Sequence, residues 1–135
     1  MRGHGLIAAT ADQGTAEWGC DYTATTGAVG TAIGQGQNNT NLIIANCGTA
    51  GIAARICDAY VSGIYTDWYL PSKDELTQLY NNRYAIGGFN LSAYGTYWAS
   101  GEWHSHVADG MDFSNGTSGG YYKSYVMLVR PIRSF

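Results

Sequence analysis

The sequence predicts an α+β domain in which two or three helices pack on short antiparallel strands. Three observations carry this. A short apolar run near the N-terminus precedes two stretches with helical spacing. A capping box at Ser72–Glu75 opens a further helix. Beyond Gly87-Gly88 the pattern changes to short segments divided by turn residues, which is how an antiparallel meander reads. Helices and strands are thus segregated along the chain rather than alternating.

Leu6-Ile7-Ala8-Ala9 reads as a buried strand. The polar stretch from Thr10 to Gln37, dense in Gly and Thr and holding Trp18 and Tyr22, reads as loop with short strands or turns. Asn38, Asn39 or Thr40 is positioned to cap a helix whose apolar face is Leu42, Ile43, Ile44 and Ala45. Thr49 starts a second helix, roughly 50 to 62, that Gly63 closes. Within it Cys57 shares a spacing with Ile52, Ala53, Ile56 and Tyr60 and is expected to be a buried thiol. Trp68-Tyr69-Leu70 is a short strand stopped by Pro71. Ser72 caps the next helix and Glu75 reaches back to it, with Leu76, Leu79 and Tyr80 on one face and an end near Asn82. Strands are expected at Tyr97-Trp98, 107–113, 120–123 and 125–133, with Asn115-Gly116 as the hairpin signal between the middle two.

Of 135 residues, 19 are Gly and 13% are charged. Ordinary domains carry roughly 7% Gly and roughly 25% charge. At 45% hydrophobic the chain builds one core, so a single domain over residues 1–135 is expected. No apolar run reaches membrane-spanning length. Met1 to Gly5 hold no apolar stretch of signal-peptide length, so no export signal is expected in this chain itself. A net charge of −3 with scattered basic residues leaves no footprint for nucleic acid. Of the three cysteines, Cys20 and Cys47 lie in Gly/Thr/Asn-rich surroundings and form a candidate disulfide in an oxidising compartment. Their spacing matches no zinc pattern.

Catalytic motifs are missing. There is no Gly-x-Ser-x-Gly elbow and no cysteine-nucleophile signature. Gly34-Gln35-Gly36 lacks the third glycine and the lysine of a phosphate-cradling loop. Asp74 and Glu75 are accounted for by the helix N-terminus. His104 and His106 alternate, so on a strand they share a face, with Asp109 or Asp112 nearby; spacing supplies no further ligand, and no metal or other cofactor is expected. Three glycosylation-type triplets, at Asn38, Asn90 and Asn115, are what chance gives in an Asn/Thr-rich chain.

Residues 94–125 carry the functional signal. Tyr94, Tyr97, Tyr121, Tyr122 and Tyr125 stand there with Trp98 and Trp103, interleaved with Ser and Gly. Paratopes have this composition, because Tyr and Trp give rigid contact area while Ser and Gly adapt. A Gly-rich meander whose rings merely pack together has it too.

Ordered blocks along the whole chain resemble one family. They are His4-Gly5-Leu6-Ile7-Ala8-Ala9, Trp18-Gly19-Cys20, Thr31-Ala32-Ile33-Gly34, Ala53-Ala54-Arg55-Ile56-Cys57, Asp67-Trp68-Tyr69-Leu70-Pro71-Ser72-Lys73-Asp74-Glu75-Leu76, Tyr97-Trp98-Ala99-Ser100 and Val129-Arg130-Pro131-Ile132-Arg133-Ser134-Phe135. Together they are similar to the Lcl C-terminal domain family of collagen-like adhesins and of phage and bacterial surface proteins. The resemblance implies a C-type lectin-like fold with adjacent N- and C-terminal strands. It also implies a ligand-display role outside the cell, on a bacterial surface or virion tail tip, and a likeness to variable proteins of diversity-generating retroelements. Trp98, Glu102, Phe113, Gly116, Lys123, Val129, Arg130 and Arg133 match framework positions of that pattern. Residues 103–107 and 119–122 fall where the family varies, and Asp109 and Met111 depart from it. The calcium-ligating triplets of sugar-binding relatives are absent, as is the late cysteine pair of formylglycine-generating enzymes.

The expectation is therefore a non-catalytic module that binds a host cell-surface protein or glycan, without nucleic acid or membrane insertion. Its contact residues would be Trp103, His104, His106, Asp109, Asp112, Tyr121, Tyr122 and Tyr125. The alternative is a fibre cap, with a homotrimer as the candidate assembly and no ligand of its own.

Overall fold

A computed structural model describes residues 5–21 and 25–135; His4 and Tyr22 lie outside the described residues. Among these, four helices and seven strands form a mixed α+β domain with two sheets. β1 (Leu6–Ala8) and β7 (Ile132–Ser134) pair antiparallel as a small sheet that brings the two ends of the described chain together. The larger sheet has the order β2-β6-β3-β4-β5. Its strands are β2 (Thr15–Ala16), β3 (Thr96–His104), β4 (Val107–Asp112), β5 (Thr117–Tyr122) and β6 (Met127–Leu128).

Alternate residues of β3 and β4 feed two cores, one on each side of the sheet. Trp98 and Ala108 join Trp18, Ile43, Ile52, Cys57 and Val129 in the first. Tyr97, Ala99 and Met111 join Tyr69, Leu76, Leu79, Phe113 and Ile132 in the second. Two buried tryptophans satisfy their indole N–H groups on backbone: Trp18 donates to the Ala99 carbonyl and Trp98 to that of Ala16.

The helices depart from the sequence reading in their boundaries. α1 (Gly36–Asn46) begins before Asn38, and Asn39 and Thr40 are buried inside it rather than capping it. Its cap is not local. Glu75 Oε1, 39 residues away, accepts the Gly36 N–H at 3.1 Å. Thr40 Oγ1 instead donates to the Gly36 carbonyl and accepts from the Leu70 N–H, tying α1 to the chain just before Pro71 and Ser72. Of the expected apolar face only Ile43 is fully buried, and Ala45 is exposed. α2 is shorter than expected, Ala53–Ala59, because Tyr60 turns extended and sets its ring edge-on against Trp68. Gly63 sits in the turn bridging Ser62 and Tyr65, not at the helix end. Cys57 is buried, as its spacing predicts. α3 (Lys73–Asn81) opens on the complete Ser72–Glu75 capping box and ends at Asn82. The single turn α4 (Arg83–Ile86) follows and ends at Gly87.

Among the strands, β1 is half-buried rather than buried, with Ile7 facing outward. Trp68–Leu70 contributes one bridge, Tyr69 to Ile132, instead of a strand. β3 runs on to His104, well past Trp98, and β5 begins at Thr117 rather than 120. The expected strand 125–133 is broken into β6 and β7. Val129 leaves the ladder to bond Gly14, and Arg130 turns inward to bind Asp12 and the carbonyls of Ala9 and Gly87. Cys20 and Cys47 are joined by a disulfide with their Cα atoms 5.8 Å apart, which ties the segment after Trp18 to the end of α1.

Candidate ligand-binding surface

The hairpin β3–β4 turns at Ser105 and His106, so His104 ends one strand and His106 lies in the turn itself. The two imidazoles do not alternate along a continuous strand. They meet across the turn, ring centroids 4.2 Å apart. His106 stacks on Tyr122, centroids 6.2 Å apart and planes within 16°. Tyr122 in turn meets Tyr125 edge-on at 5.5 Å. A chain of four rings thus runs from the β3–β4 turn to the segment after β5. Among the described residues no group of three or more His, Cys, Asp or Glu is placed to hold a metal ion.

Trp103 stands beside this chain and is 58% exposed. Its place is fixed from two strands. The indole N–H donates to Asp109 Oδ1 on β4. The ring lies on Gly120 of β5, where a Cβ would come within 3.0 Å of it. Asp109 and Gly120 are register partners, so one side chain from β3 spans β4 and rests on β5. Asp109 is itself buried and positions the ring rather than meeting solvent. Burial raises its carboxyl pKa; the Trp103 hydrogen bond and nearby Lys73 oppose the shift, and Asp74 adds to it.

Tyr121 and Asp112 fall on the opposite face of the hairpin. Tyr121 packs across Gly110 and against Met127 and Trp98. It borders a groove of about 430 Å³ lined also by Thr15, Tyr94, Thr96, Tyr125 and Val126. Asp112 Oδ1 accepts from the Ser114 N–H and hydroxyl, which shapes the β4–β5 turn. The eight expected contact residues therefore divide. Trp103, His104, His106, Tyr122 and Tyr125 form one run of rings, Tyr121 faces the groove, and Asp109 and Asp112 hold backbone or ring in place.

Sequence reasoning missed Val126, which reads only as part of a strand and is exposed on the groove rim. Tyr94, 88% exposed, was visible only as composition. Its signal was the Gly95 that follows it, whose Cβ would overlap the Asn90 carbonyl and which therefore turns the chain out before β3. A larger hollow of about 560 Å³ is lined by Leu6, Ile33, Gln78, Leu79, Asn82 and Ile86 among others, and among the described residues no expected contact residue and no ionisable side chain lines it.

Below the rings lies a charged framework. Glu102 and Lys123 form a buried ion pair at 2.5 Å. The other Glu102 oxygen accepts from the Thr26 N–H, the Thr26 hydroxyl and the Gly27 N–H. The Lys123 ammonium also sits 4.6 Å from the Trp18 ring centroid. The pair fastens the end of β5 to β3 and both to residues 26–27. Among the described residues no helix is long and apolar enough to cross a membrane. Compared with models of known protein families and with curated proteins, the chain matches none.

Proposed function

We propose that this domain is a non-catalytic recognition module of the Lcl C-terminal type, with a C-type lectin-like fold. It would act at the tip of a bacterial surface adhesin or phage tail fibre and bind a host surface protein or glycan. The observation that carries the reading is the run of rings Trp103, His104, His106, Tyr122 and Tyr125. They are exposed or half-exposed, yet held by stacking, by the Asp109 hydrogen bond and by Gly120. Rings that only filled a core would be buried, and rings that only decorated a loop would not be fixed. Fixed, exposed aromatics bind with little loss of side-chain entropy, which is how paratopes use them. The antiparallel pairing of β1 with β7 supports the lectin-like arrangement.

The experiment is a binding screen of labelled domain against bacterial cells and against protein and glycan arrays, with Trp103→Ala/Tyr122→Ala beside the wild type. Buried aromatic anchors typically cost about 2 kcal/mol or more on truncation, so the double variant should lose at least about 30-fold in affinity. Trp103→Ala also takes the indole donor from the buried Asp109 carboxyl, so its urea midpoint should fall, and binding is compared where the variant is still folded. Undiminished binding by a folded double variant would refute the assignment. A light-scattering mass of three chains with no target bound would favour the fibre cap.

A further inference from the structure

β5 is the edge of the five-stranded sheet, paired with β4 on one side only. The direction of each of its backbone groups follows from one bond. Lys123 donates its N–H to the His106 carbonyl at 2.9 Å, directly after the register pair Val107–Tyr122. Inward and outward residues alternate in an antiparallel ladder. Thr117, Gly119 and Tyr121 therefore bond inward to β4, and Ser118, Gly120 and Tyr122 point their N–H and carbonyl groups outward. The Tyr122 carbonyl is taken by the Tyr125 N–H, at 2.9 Å. Five outward groups remain, two donor–acceptor pairs and one donor, on alternate residues of a six-residue strand.

Sheet edges are normally blunted by charge, proline or a bulge. Thr117–Tyr122 contains no proline and no charged residue, and its register with β4 is unbroken. On one face the edge is walled by Trp103 and Tyr122. On the other, a Cβ at Gly119 would meet nothing within 4 Å, so the backbone there borders open space. Alternating donors and acceptors at the two-residue repeat of a strand fit another extended polypeptide, whereas a sugar chain offers no such repeat.

We propose that β5 is a docking rail that takes an extended segment of the target protein as a sixth strand. This deepens the recognition reading and rests on it. The partner is thereby a polypeptide rather than a glycan. Its side chains would alternate, with apolar or aromatic residues on the side of Trp103 and Tyr122, and it would lack proline where its own N–H groups must meet the Ser118 and Gly120 carbonyls. A copy of this chain pairing β5 with β5 is the competing occupant. It offers no more than the same five groups, and if centred on Gly120 it leaves the Ser118 N–H facing an already occupied Tyr122 carbonyl.

The probe is a phage-displayed library of random dodecapeptides panned on the immobilised domain. Enriched peptides are tested on wild type, Ser118→Pro, Ser118→Lys and Tyr122→Ala. Proline at 118 removes an outward N–H and leaves the β4 ladder intact, so the fold should persist, and the lysine variant retains every backbone group. Ser118→Pro should weaken binding about tenfold or more, as a strand-addition site requires. Bound peptide should slow amide exchange at Ser118, Gly120 and Tyr122 while leaving Thr117, Gly119 and Tyr121 as they were. Binding that depends on Tyr122 but is indifferent to both Ser118 variants, without the alternating protection, overturns the rail and leaves the recognition face standing. Indifference to Tyr122→Ala as well overturns both. A free domain that sediments as a dimer and becomes monomeric in Ser118→Pro assigns the edge to a second copy and overturns the rail.

Discussion

Removing the charge of Lys123 tests whether the buried framework is what holds the recognition face. Lys123→Met keeps the aliphatic stem against Trp18 and deletes the ammonium. Glu102 is then a carboxylate 6% exposed, with the Thr26 and Gly27 donors still on one oxygen and nothing on the other. Breaking a buried pair from one side costs about 3–5 kcal/mol, because an uncompensated charge remains. Glu102→Gln strands the ammonium and should cost a similar amount. The double variant Lys123→Met/Glu102→Gln carries no buried charge, and its amide oxygen can still accept from Thr26 and Gly27. It should recover most of the loss and end nearer wild type than either single, so the coupling energy should exceed the cost of one single variant, about 3 kcal/mol or more. The assay is urea unfolding followed by tryptophan fluorescence, with both singles and the double in one buffer. Domains of this size have about 5–15 kcal/mol in all, so a single variant should lose about a fifth or more of its stability. Two results would refute the reasoning: a single variant within about 1 kcal/mol of wild type, or a double variant as damaged as the sum of the singles.

Two further outcomes follow from the same structure. The Asp109 carboxyl pKa is raised above the ordinary 3.8, chiefly by burial, so the folded state holds the proton more tightly than the unfolded chain and stability falls as pH rises above that value; Asp109→Asn, which still accepts from Trp103, should gain on wild type in urea midpoint as pH is raised from the ordinary carboxylate range toward neutrality, and a pH-independent difference between the two would contradict this. The Cys20–Cys47 bridge closes a loop with a sequence separation of 27, for which the chain-entropy estimate is about 3.5 kcal/mol, so Cys20→Ser/Cys47→Ser should lower the unfolding free energy by roughly that amount in non-reducing urea titrations, and an unchanged midpoint would show that the bridge constrains little.

What was legible in the sequence is what local chemistry decides. The Ser72–Glu75 box, the Asn115-Gly116 hairpin and the burial of Cys57 depend on neighbours a few residues away, and the α+β order follows from them. Features decided at a distance were not legible. The start of α1 depends on Glu75, which reads locally as half of a capping box and actually serves two helices and the Gly34 N–H. The break between β6 and β7 depends on Arg130 finding Asp12, 118 residues away. At the candidate site the composition of 94–125 marks a region but does not separate rings from their supports. Asp109 and Asp112 look like contact residues in sequence and turn out to hold Trp103 and a turn. Which of two adjacent tyrosines faces the groove and which faces Trp103 is a matter of register, and a one-residue slip would exchange Tyr121 and Tyr122.

The scarcity of charge in this chain has a structural consequence for recognition. Glu75, Glu102, Asp109, Lys123 and Arg130 are buried, each bound to backbone or to a partner side chain. Asp67 and Arg133 are committed to one another in a two-point ion pair. A large part of an already small charge inventory is therefore spent inside the molecule, fixing loops to strands. The surface around β5 is left with Gly, Ser, Thr, Tyr and Trp, of which Trp103 is bonded to a buried charged side chain, that of Asp109. The rings at 103, 104, 106, 122 and 125 contribute side chains, not backbone geometry, while the groups that do set the geometry, Glu102, Lys123 and Gly120, lie directly beneath them. A fold arranged this way tolerates change at the exposed rings and resists it one layer down, which is the division of labour the proposed recognition role would need.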